Sequence, residues 1–384
     1  MSQLPILGWD QQLTLLQKLW RVDWPLLAVA AIIAIIGTAT LYSVAGGSFQ
    51  PLAERHAFRF VLGLGLVLVM TLITPRAWMA LAYPFYGATL VLLALVPVLG
   101  VEALGARRWL TMAGFSVQPS ELMKVALVAA LARYYHWLPA ERVSRPLWIL
   151  LPMAMIAVPV VLTLRQPDLG TGMLFLLIGT AIMFLAGVSW LLFAAAGAAS
   201  LIALPYVLEG LHGYQRKRIE TFLDPDKDPL GAGYHITQSK IALGSGGLEG
   251  KGFMQGTQSR LEFLPEKHTD FAFTMFGEEW GFAGAIFLIA LYAFLLAQML
   301  HMAWHAKSHF GRLIAAGLSM TLFAYVFINI AMVTGLVPVV GVPLPLMSYG
   351  GSAMLSLMAA LGLAMSSHVH GRHYPRRNEI GPFC

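Results

Sequence analysis

Apolar stretches of about twenty residues recur along this chain, and they constrain its fold more than any other feature. A helix needs about 20 mostly apolar residues to cross the hydrocarbon core of a bilayer. The pattern therefore predicts an all-α polytopic integral membrane protein with about ten transmembrane helices. We place the ten spans near residues 25–45, 57–74, 78–99, 118–136, 147–164, 167–187, 189–208, 271–300, 312–335 and 345–367.

The composition excludes a water-soluble globule. Apolar residues make up 58% of the 384 positions and charged residues only 11%, whereas about a quarter of a soluble protein is charged. The excess of 25 basic over 19 acidic residues forms no basic stripe with interleaved aromatics, so we relate it to membrane orientation and not to nucleic acid. Cys384 is the only cysteine, which excludes an internal disulfide and a cysteine zinc site.

The chain is predicted to form one membrane domain over residues 1–384. Residues 1–24 are expected to lie at the cytoplasmic interface, 209–270 to form one long extracytoplasmic loop between spans seven and eight, and 368–384 to form a cytoplasmic tail. Within the first segment an apolar stripe at steps of four and three residues predicts an amphipathic helix on the membrane surface. A partner-binding helix is the alternative; the stripe is Trp9, Leu13, Leu16, Trp20 and Trp24.

The basic residues of the short loops predict the orientation. Eleven lysines and arginines fall on the side of the N-terminus and five on the other side, which favours two cytoplasmic termini by the positive-inside rule. The long segment would then face outward. It also carries most of the polarity, since eleven of the nineteen acidic residues lie between Glu209 and Glu279. Ordinary connections are a few residues long, so we expect function on the outer side.

Spans four and six open alike, with glutamine and proline followed by a carboxylate: Gln118-Pro119-Ser120-Glu121 and Gln166-Pro167-Asp168. Glu121 and Asp168 could simply complement the helix dipole. Lys124 lies on the same helical face as Glu121, and a cation inside a span usually marks an ion pair or a substrate pathway. With Arg107, Arg108 and Arg165 nearby in sequence, these groups predict an outward cavity suited to an anion; a purely structural ion-pair cluster is the alternative.

Two further motifs suggest other sites. The glycine run 244–252 does not have the spacing of a phosphate-binding loop, so we expect its glycines to allow tight turns or a close approach of the backbone to a ligand or membrane surface. His301, His305 and His309 repeat at four-residue steps and could bind zinc on one helical face. No HExxH motif accompanies them, and interfacial histidines are the favoured interpretation.

The segment Phe263-Leu264-Pro265-Glu266-Lys267-His268-Thr269-Asp270-Phe271 brings a carboxylate to the outer end of span eight. Such an aspartate is a helix cap as often as a catalyst. As a base it would act in the transition state, or after burial had raised its pKa, because an unperturbed aspartate has a pKa of about 3.9.

In this context the chain resembles the SEDS family of bacterial cell-wall polymerases, and within it the RodA branch more than the FtsW branch. The resemblance extends from span three to span ten in family order. It rests on the strings GARRW (105–109), QPSELMK (118–124), QPDLGTG (166–172), FLDPDKDPLGAGYHITQSKIALGSGGLEGKG (222–252), GTQSRLEFLPEKHTDF (256–271) and PVVGVPLPLMSYGGSA (338–353). Arg260 and Ala272 depart from the usual family residues.

The resemblance implies a peptidoglycan glycosyltransferase that joins lipid II units at the outer face of the bacterial cytoplasmic membrane during cell elongation. It implies that Asp270 is the catalytic base. It also suggests diphosphate or sugar contacts at Arg107, Arg108, Lys124, Arg165 and Lys240, with Glu121 and Asp168 orienting them or helping to hold a divalent cation, Mg or Mn.

The implied partners are a class B penicillin-binding transpeptidase and the elongation machinery. Two other classes of protein would also account for ten spans. A precursor transporter (flippase) should carry its polar groups near the midplane with gates to both sides, whereas here they crowd one face. A non-catalytic scaffold does not call for buried charges beside a carboxylate-rich loop.

Overall fold

The computed structural model describes residues 14–103, 106–112, 115–209, 213, 220–222, 224, 231–260 and 267–370. The predicted stripe residues Trp9 and Leu13, and the tail beyond His370, lie outside these ranges.

Long helices occur at all ten predicted apolar segments. Seven of them are long and apolar enough to cross a membrane, which confirms the polytopic all-α fold. Helices α7 and α8 are apolar as well, and α5 is less apolar because it carries Glu121, Lys124 and Arg133. The ten helices are α2 (Trp24–Val44), α3 (Leu52–Leu72), α4 (Pro75–Leu99), α5 (Pro119–Trp137), α6 (Pro146–Leu164), α7 (Leu169–Leu185), α8 (Trp190–Glu209), α11 (Ala272–His305), α12 (His309–Val333) and α13 (Gly351–Val369).

Before the first span lies a short helix, α1 (Leu15–Trp20), with a capping box at Thr14. Leu16 and Trp20 of the predicted stripe are exposed on it, as a membrane-surface helix requires. Trp24, by contrast, begins α2, so the expected surface helix does not extend to it. Asp23 caps α2 by accepting a hydrogen bond from the Leu26 N–H, and the chain turns there into the first span.

Between α4 and α5 the chain forms a small antiparallel sheet that the apolar pattern did not predict. Its strands β1 (Val101–Ala103), β2 (Ala106–Met112) and β3 (Phe115–Val117) follow each other in the order β1-β2-β3. Strands of three residues are too short for a period-two pattern to be recognised. The sheet carries Arg107 and Arg108.

Helices α5, α12 and α13 supply most of the protein core. Sixteen of the 19 residues of α5 are buried, and α5 packs against α4, α7 and α12. Its charged residues therefore face protein and not lipid, which is the usual arrangement of ionisable groups within spans. The outer helices α3, α4 and α11 present apolar side chains, including Phe58 and Phe282, to the surrounding lipid.

Within α11 the helix is broken at Gly281, where φ is +66° and ψ is −166°. The glycine run fills this break: the N–H groups of Phe282 and Ala283 donate to the carbonyls of Gly247 and Leu248. A Cβ on Gly250 would lie 2.2 Å from the Glu279 carbonyl oxygen. The close approach that the structure shows is therefore to the backbone of α11, whereas the expected partner was a ligand or membrane surface.

Contacts with α11 near this break hold part of the long segment between spans seven and eight. This part contains α9 (Ala232–Ser245), which packs on α11 and α12, and the short α10 (Thr257–Arg260). Fully buried Glu278 accepts hydrogen bonds from Lys251 Nζ (2.7 Å), Thr257 N (2.9 Å) and Gln258 N (3.2 Å). One carboxylate thus fastens residues 251–258 to α11.

The three histidines do not share one helical face. The His301 and His305 rings lie 4.1 Å apart at the end of α11, but His309 is the first residue of α12. The premise of the zinc alternative is therefore wrong, because a turn separates the third histidine from the other two. In the described part of the chain, no group of three or more metal-ligating side chains is close enough to hold an ion.

Candidate active site

Helix α5 begins with Pro119 in its first turn, a position where the missing N–H costs nothing. This start places Glu121 and Lys124 one turn apart on its inner face. Both side chains are buried, with exposed fractions of 5% and 2%. Lys124 Nζ lies 2.7 Å from Glu121 Oε1, so the predicted pair is formed inside the bundle.

Tyr325 of α12 completes this pair. Its hydroxyl donates to Glu121 Oε2 at 2.5 Å and also contacts Lys124 Nζ. Both carboxylate oxygens therefore have partners, which a buried ion pair needs if desolvation is not to outweigh attraction. A cavity of about 20 Å³ borders the cluster beside Pro343, Pro345 and Ser356, room for about one water molecule.

Asp168 is the N-cap of α7. Its Oδ1 accepts from the Thr171 N–H at 3.2 Å and its Oδ2 from the Thr171 hydroxyl at 2.8 Å. The side chain therefore caps the helix, and its position at the N-terminus is compatible with the alternative that it complements the helix dipole. Asp168 also interacts electrostatically with Tyr325, which places α7's first turn beside the Glu121–Lys124 pair.

Asp270 lies two residues before the start of α11, next to the N-cap Phe271, and is half-buried. Its backbone carbonyl accepts a hydrogen bond from Asn329 Nδ2 at 2.9 Å, and the same amide donates to the Val342 carbonyl at 2.7 Å. The carboxylate sits against Gly341, where an added Cβ would be 3.5 Å from Asp270 Oδ2. Asn329 thus fixes the aspartate to the loop between α12 and α13.

This loop joins the two polar groups. Tyr325 and Asn329 lie one turn apart on α12, about 6 Å along its axis. The loop contacts Asp270 at Gly341, lines the cavity of the Glu121–Lys124 pair at Pro343, and packs on α7 at Gly170, where a Cβ would meet the Val340 carbonyl oxygen at 2.5 Å. Asp270, Glu121, Lys124 and Asp168 therefore surround one end of α12.

The remaining predicted cations are more exposed. Arg108 donates to the Pro167 carbonyl at 2.5 Å and so lies at the start of α7 near Asp168. The Lys240 side chain lies against Gly335 at the end of α12. Arg107 instead forms an ion pair with Glu102 across β1 and β2 at 3.8 Å, and Arg165 is exposed after α6. These last two are not joined to the other site residues by an ion pair in the described part of the chain.

The sequence of this chain matches a known family over most of its length. The profile described as "Cell cycle protein", FtsW/RodA/SpoVE, matches residues 18–373. The chain belongs to the FtsW/RodA/SpoVE family. This confirms the resemblance to the SEDS polymerases.

Among members of the FtsW/RodA/SpoVE family, the peptidoglycan glycosyltransferase MrdB of Escherichia coli (strain K12) is 44% identical over 351 residues, 91% of this chain and 94% of that protein. A probable peptidoglycan glycosyltransferase FtsW of Trichlorobacter lovleyi is 34% identical over 369 residues, 92% of this chain and 96% of that protein. The stronger similarity to MrdB agrees with the RodA branch.

Solved structures of the family share the fold. Rod shape determining protein RodA of Thermus thermophilus superposes with a TM-score of 0.68 at 31% identity, covering 91% of this chain and 98% of that chain. A chain from a peptidoglycan synthase complex, studied for the coordination of polymerization and crosslinking, gives a TM-score of 0.79 at 34% identity. It covers 90% of this chain and 97% of that chain.

Several residues that the sequence reasoning did not select also line this candidate site. Tyr325 and Asn329 are described above. Arg59 of α3 stacks over the Tyr349 ring at 4.8 Å, and the Tyr349 N–H donates to the His268 carbonyl at 2.8 Å, two residues before Asp270. The sequence does distinguish Asn329 in one respect, because it is the only asparagine within a predicted span.

The carboxylates of the site do not fit a preformed metal centre. Glu121 is bound by Lys124 and Tyr325, and both oxygens of Asp168 are bound by Thr171. A hard divalent cation needs several free oxygen ligands. In the ranges that the structure describes, neither carboxylate offers them, so we derive no step through a metal held by these two residues.

Proposed function

We propose that this peptidoglycan glycosyltransferase joins lipid II units into glycan strands at the outer face of the bacterial cytoplasmic membrane. The observation that supports this most is the position of Asp270. It is a half-buried carboxylate whose backbone is fastened by Asn329 to the loop that also borders the buried Glu121–Lys124–Tyr325 cluster. The site therefore contains a carboxylate base, Asp270, that is held in position within the helical bundle near the buried charges of Glu121 and Lys124.

The reaction needs a base for the attacking hydroxyl. The C4 oxygen of the acceptor N-acetylglucosamine forms a bond to the anomeric carbon of the donor N-acetylmuramic acid. The bond from that carbon to the diphosphate oxygen breaks with inversion, and undecaprenyl diphosphate leaves. The Asp270 carboxylate accepts the hydroxyl proton as the new bond forms, a contribution of about 10²–10⁴ in rate for a positioned base.

The leaving diphosphate needs positive charge that is already in position. Two cations lie near the site: Arg108 of β2 is half-buried and binds the Pro167 carbonyl before α7, and Lys240 of α9 is exposed and lies against Gly335 after α12. Arg107 and Arg165 are exposed, and we assign them to the entry of the substrate.

Lys124 and Glu121 have a different role in this proposal. Because their charges satisfy each other within the bundle, they orient Tyr325 and the wall of the cavity. The expected Mg²⁺ or Mn²⁺ is then assigned to the diphosphate that arrives with the substrate, because the oxygens of Glu121 and Asp168 already have partners.

We also propose that both termini are cytoplasmic and that a class B penicillin-binding transpeptidase crosslinks the product. The excess of basic residues on one set of short loops supports the orientation. The similarity to a chain of a peptidoglycan synthase complex supports the partner.

The decisive experiment uses purified protein and labelled lipid II, with glycan chains resolved on a gel. Asp270→Asn should lower chain formation at least about 100-fold, because amide nitrogen and oxygen cannot accept the proton as a carboxylate does. The variant should still fold, as thermal unfolding checks, since the hydrogen bond from Asn329 goes to the backbone of residue 270 and survives the substitution.

Glu249→Gln is the matched control, because it neutralises an exposed carboxylate on the same segment. It should polymerise lipid II at the normal rate. A folded Asp270→Asn variant with normal chain formation would disprove the assignment of the base. Lipid II translocation without polymer would instead support the transporter alternative.

A further inference from the structure

A second cavity lies at the opposite end of the bundle from Asp270, where α1 meets the ends of α11 and α13. Its volume is about 590 Å³, within the range of pockets that bind small molecules. None of the residues assigned to catalysis lines it. Its walls include Trp20, Arg21, Asp23, His305, Lys307 and His368.

The charge of this cavity is predominantly positive. Asp23 is the one carboxylate among its lining residues, and it is engaged as the N-cap of α2. Lys307 is exposed, and no ion pair or hydrogen bond of its side chain occurs with described residues. Arg21 donates to the Val369 carbonyl at 3.4 Å, which leaves its other guanidinium N–H groups for a ligand.

The sequence that follows the lining residue His368 is also basic. Arg372, Arg376 and Arg377 follow within nine residues of His368, with Glu379 as the one acidic residue of that tail. A basic cluster directly beside membrane spans is typical of sites for anionic lipid headgroups, and basic pockets between spans bind such headgroups.

Exposed aromatic residues place the mouth of the cavity at a membrane surface. Trp20 is 85% exposed on the rim, and Trp304, next to the lining residue His305, is 82% exposed. Leu15 and Leu16 of α1 are exposed as well. Tryptophan concentrates at headgroup level in membrane proteins, so a ligand here can leave acyl chains in the bilayer while its phosphate enters the cavity.

We propose that this cavity binds the phosphate headgroup of an anionic phospholipid. Arg21 and Lys307 contact the phosphate, and the acyl chains lie along the exposed face of α1. The bound lipid connects α1 to the ends of α11 and α13. This site is separate from the polymerase reaction, and its existence does not depend on the role of Asp270.

The test measures lipid retention by the purified full-length chain with native mass spectrometry, in micelles containing equal amounts of phosphatidylglycerol and phosphatidylcholine. The wild-type protein should retain phosphatidylglycerol preferentially. Lys307→Gln should weaken that retention about fivefold, which is the change in affinity that one basic residue near an anionic membrane surface contributes. Since Lys307 makes no contact that folding requires among described residues, this variant should fold normally.

Arg145→Gln is the matched control. Arg145 precedes α6, is exposed, and does not line the cavity. It should leave lipid retention unchanged. An equal loss in Arg145→Gln would indicate general charge attraction and overturn the proposal. Displacement by inorganic phosphate would assign the cavity to a free anion, and displacement by an acidic peptide to a protein partner; either result would overturn the lipid assignment.

Discussion

At the residue scale, the buried cluster of Glu121, Lys124 and Tyr325 shows how polar groups are kept inside a membrane bundle. Each of the three side chains is bound by another member of the cluster. The Lys124 ammonium binds one oxygen of the Glu121 carboxylate, and the Tyr325 hydroxyl binds the other. Removing one partner of such a pair leaves an uncompensated charge, which costs more than the pair contributes.

Lys124→Met should therefore destabilise the protein by about 3–5 kcal/mol, because it leaves the Glu121 carboxylate buried with only Tyr325. Thermal unfolding in detergent measures this change, and chain formation should fall as well. The double variant Glu121→Gln, Lys124→Met should recover most of the stability. If the double variant were less stable than Lys124→Met, the argument from the unpaired charge would fail.

Asn329 gives a second prediction at this scale. Asn329→Ala removes the amide that joins the Asp270 carbonyl to the Val342 carbonyl. We expect kcat for glycan formation to fall while KM changes little, because the base is displaced and the cations near the substrate are not. Steady-state kinetics with lipid II measure both constants.

Thr334→Ala serves as its control, since within the described ranges that hydroxyl bonds to carbonyls of its own helix, at Ile330 and Ala331. Its kinetics should match the wild type. A rise in KM with unchanged kcat in Asn329→Ala would contradict a positioning role for the amide.

At the element scale, the break in α11 depends on two backbones that approach closely. Gly250 and Gly281 both have positive φ, and a Cβ on either would lie 2.2–2.3 Å from backbone atoms of the other segment. Backbone atoms cannot move aside as the end of a flexible side chain can. The glycine run can therefore pack directly against the backbone of α11 at Gly281 because its glycines lack a Cβ.

Gly250→Ala should lower stability by more than Gly247→Ala. Both positions have positive φ, so both substitutions carry the cost of roughly 1 kcal/mol for a left-handed alanine. Only at position 250 does the new Cβ meet another backbone, while none lies within 4 Å at 247. Thermal unfolding of the two variants measures the difference, and equal losses would show that the close approach does not matter.

At the scale of the whole molecule, the helices divide into a polar centre and an apolar rim. The centre contains α5, α12 and α13, and the loop between α12 and α13 connects the carboxylate before α11 with the cluster on α5. The orientation of this arrangement in the membrane decides whether the carboxylate can meet a substrate outside the cell.

The single cysteine makes this orientation testable. Cys384 should resist a membrane-impermeant thiol reagent added to intact cells, because the tail is predicted to be cytoplasmic. A Cys384→Ser, Glu249→Cys variant should react, since residue 249 is exposed on the predicted outer segment. Labelling of Cys384 in intact cells would place the proposed base on the wrong side for lipid II.

The sequence by itself determined the ten helices, because bilayer thickness sets the length of an apolar span and every such stretch can be counted. It also singled out Glu121, Lys124 and Asp270, since charges at or within spans are rare. Only the tertiary structure decided which distant residues meet: Tyr325 reaches Glu121 across 204 positions, and Asn329 joins Asp270 to Val342. The short sheet before α5 and the break at Gly281 likewise depend on contacts between segments, which hydropathy along the chain does not encode.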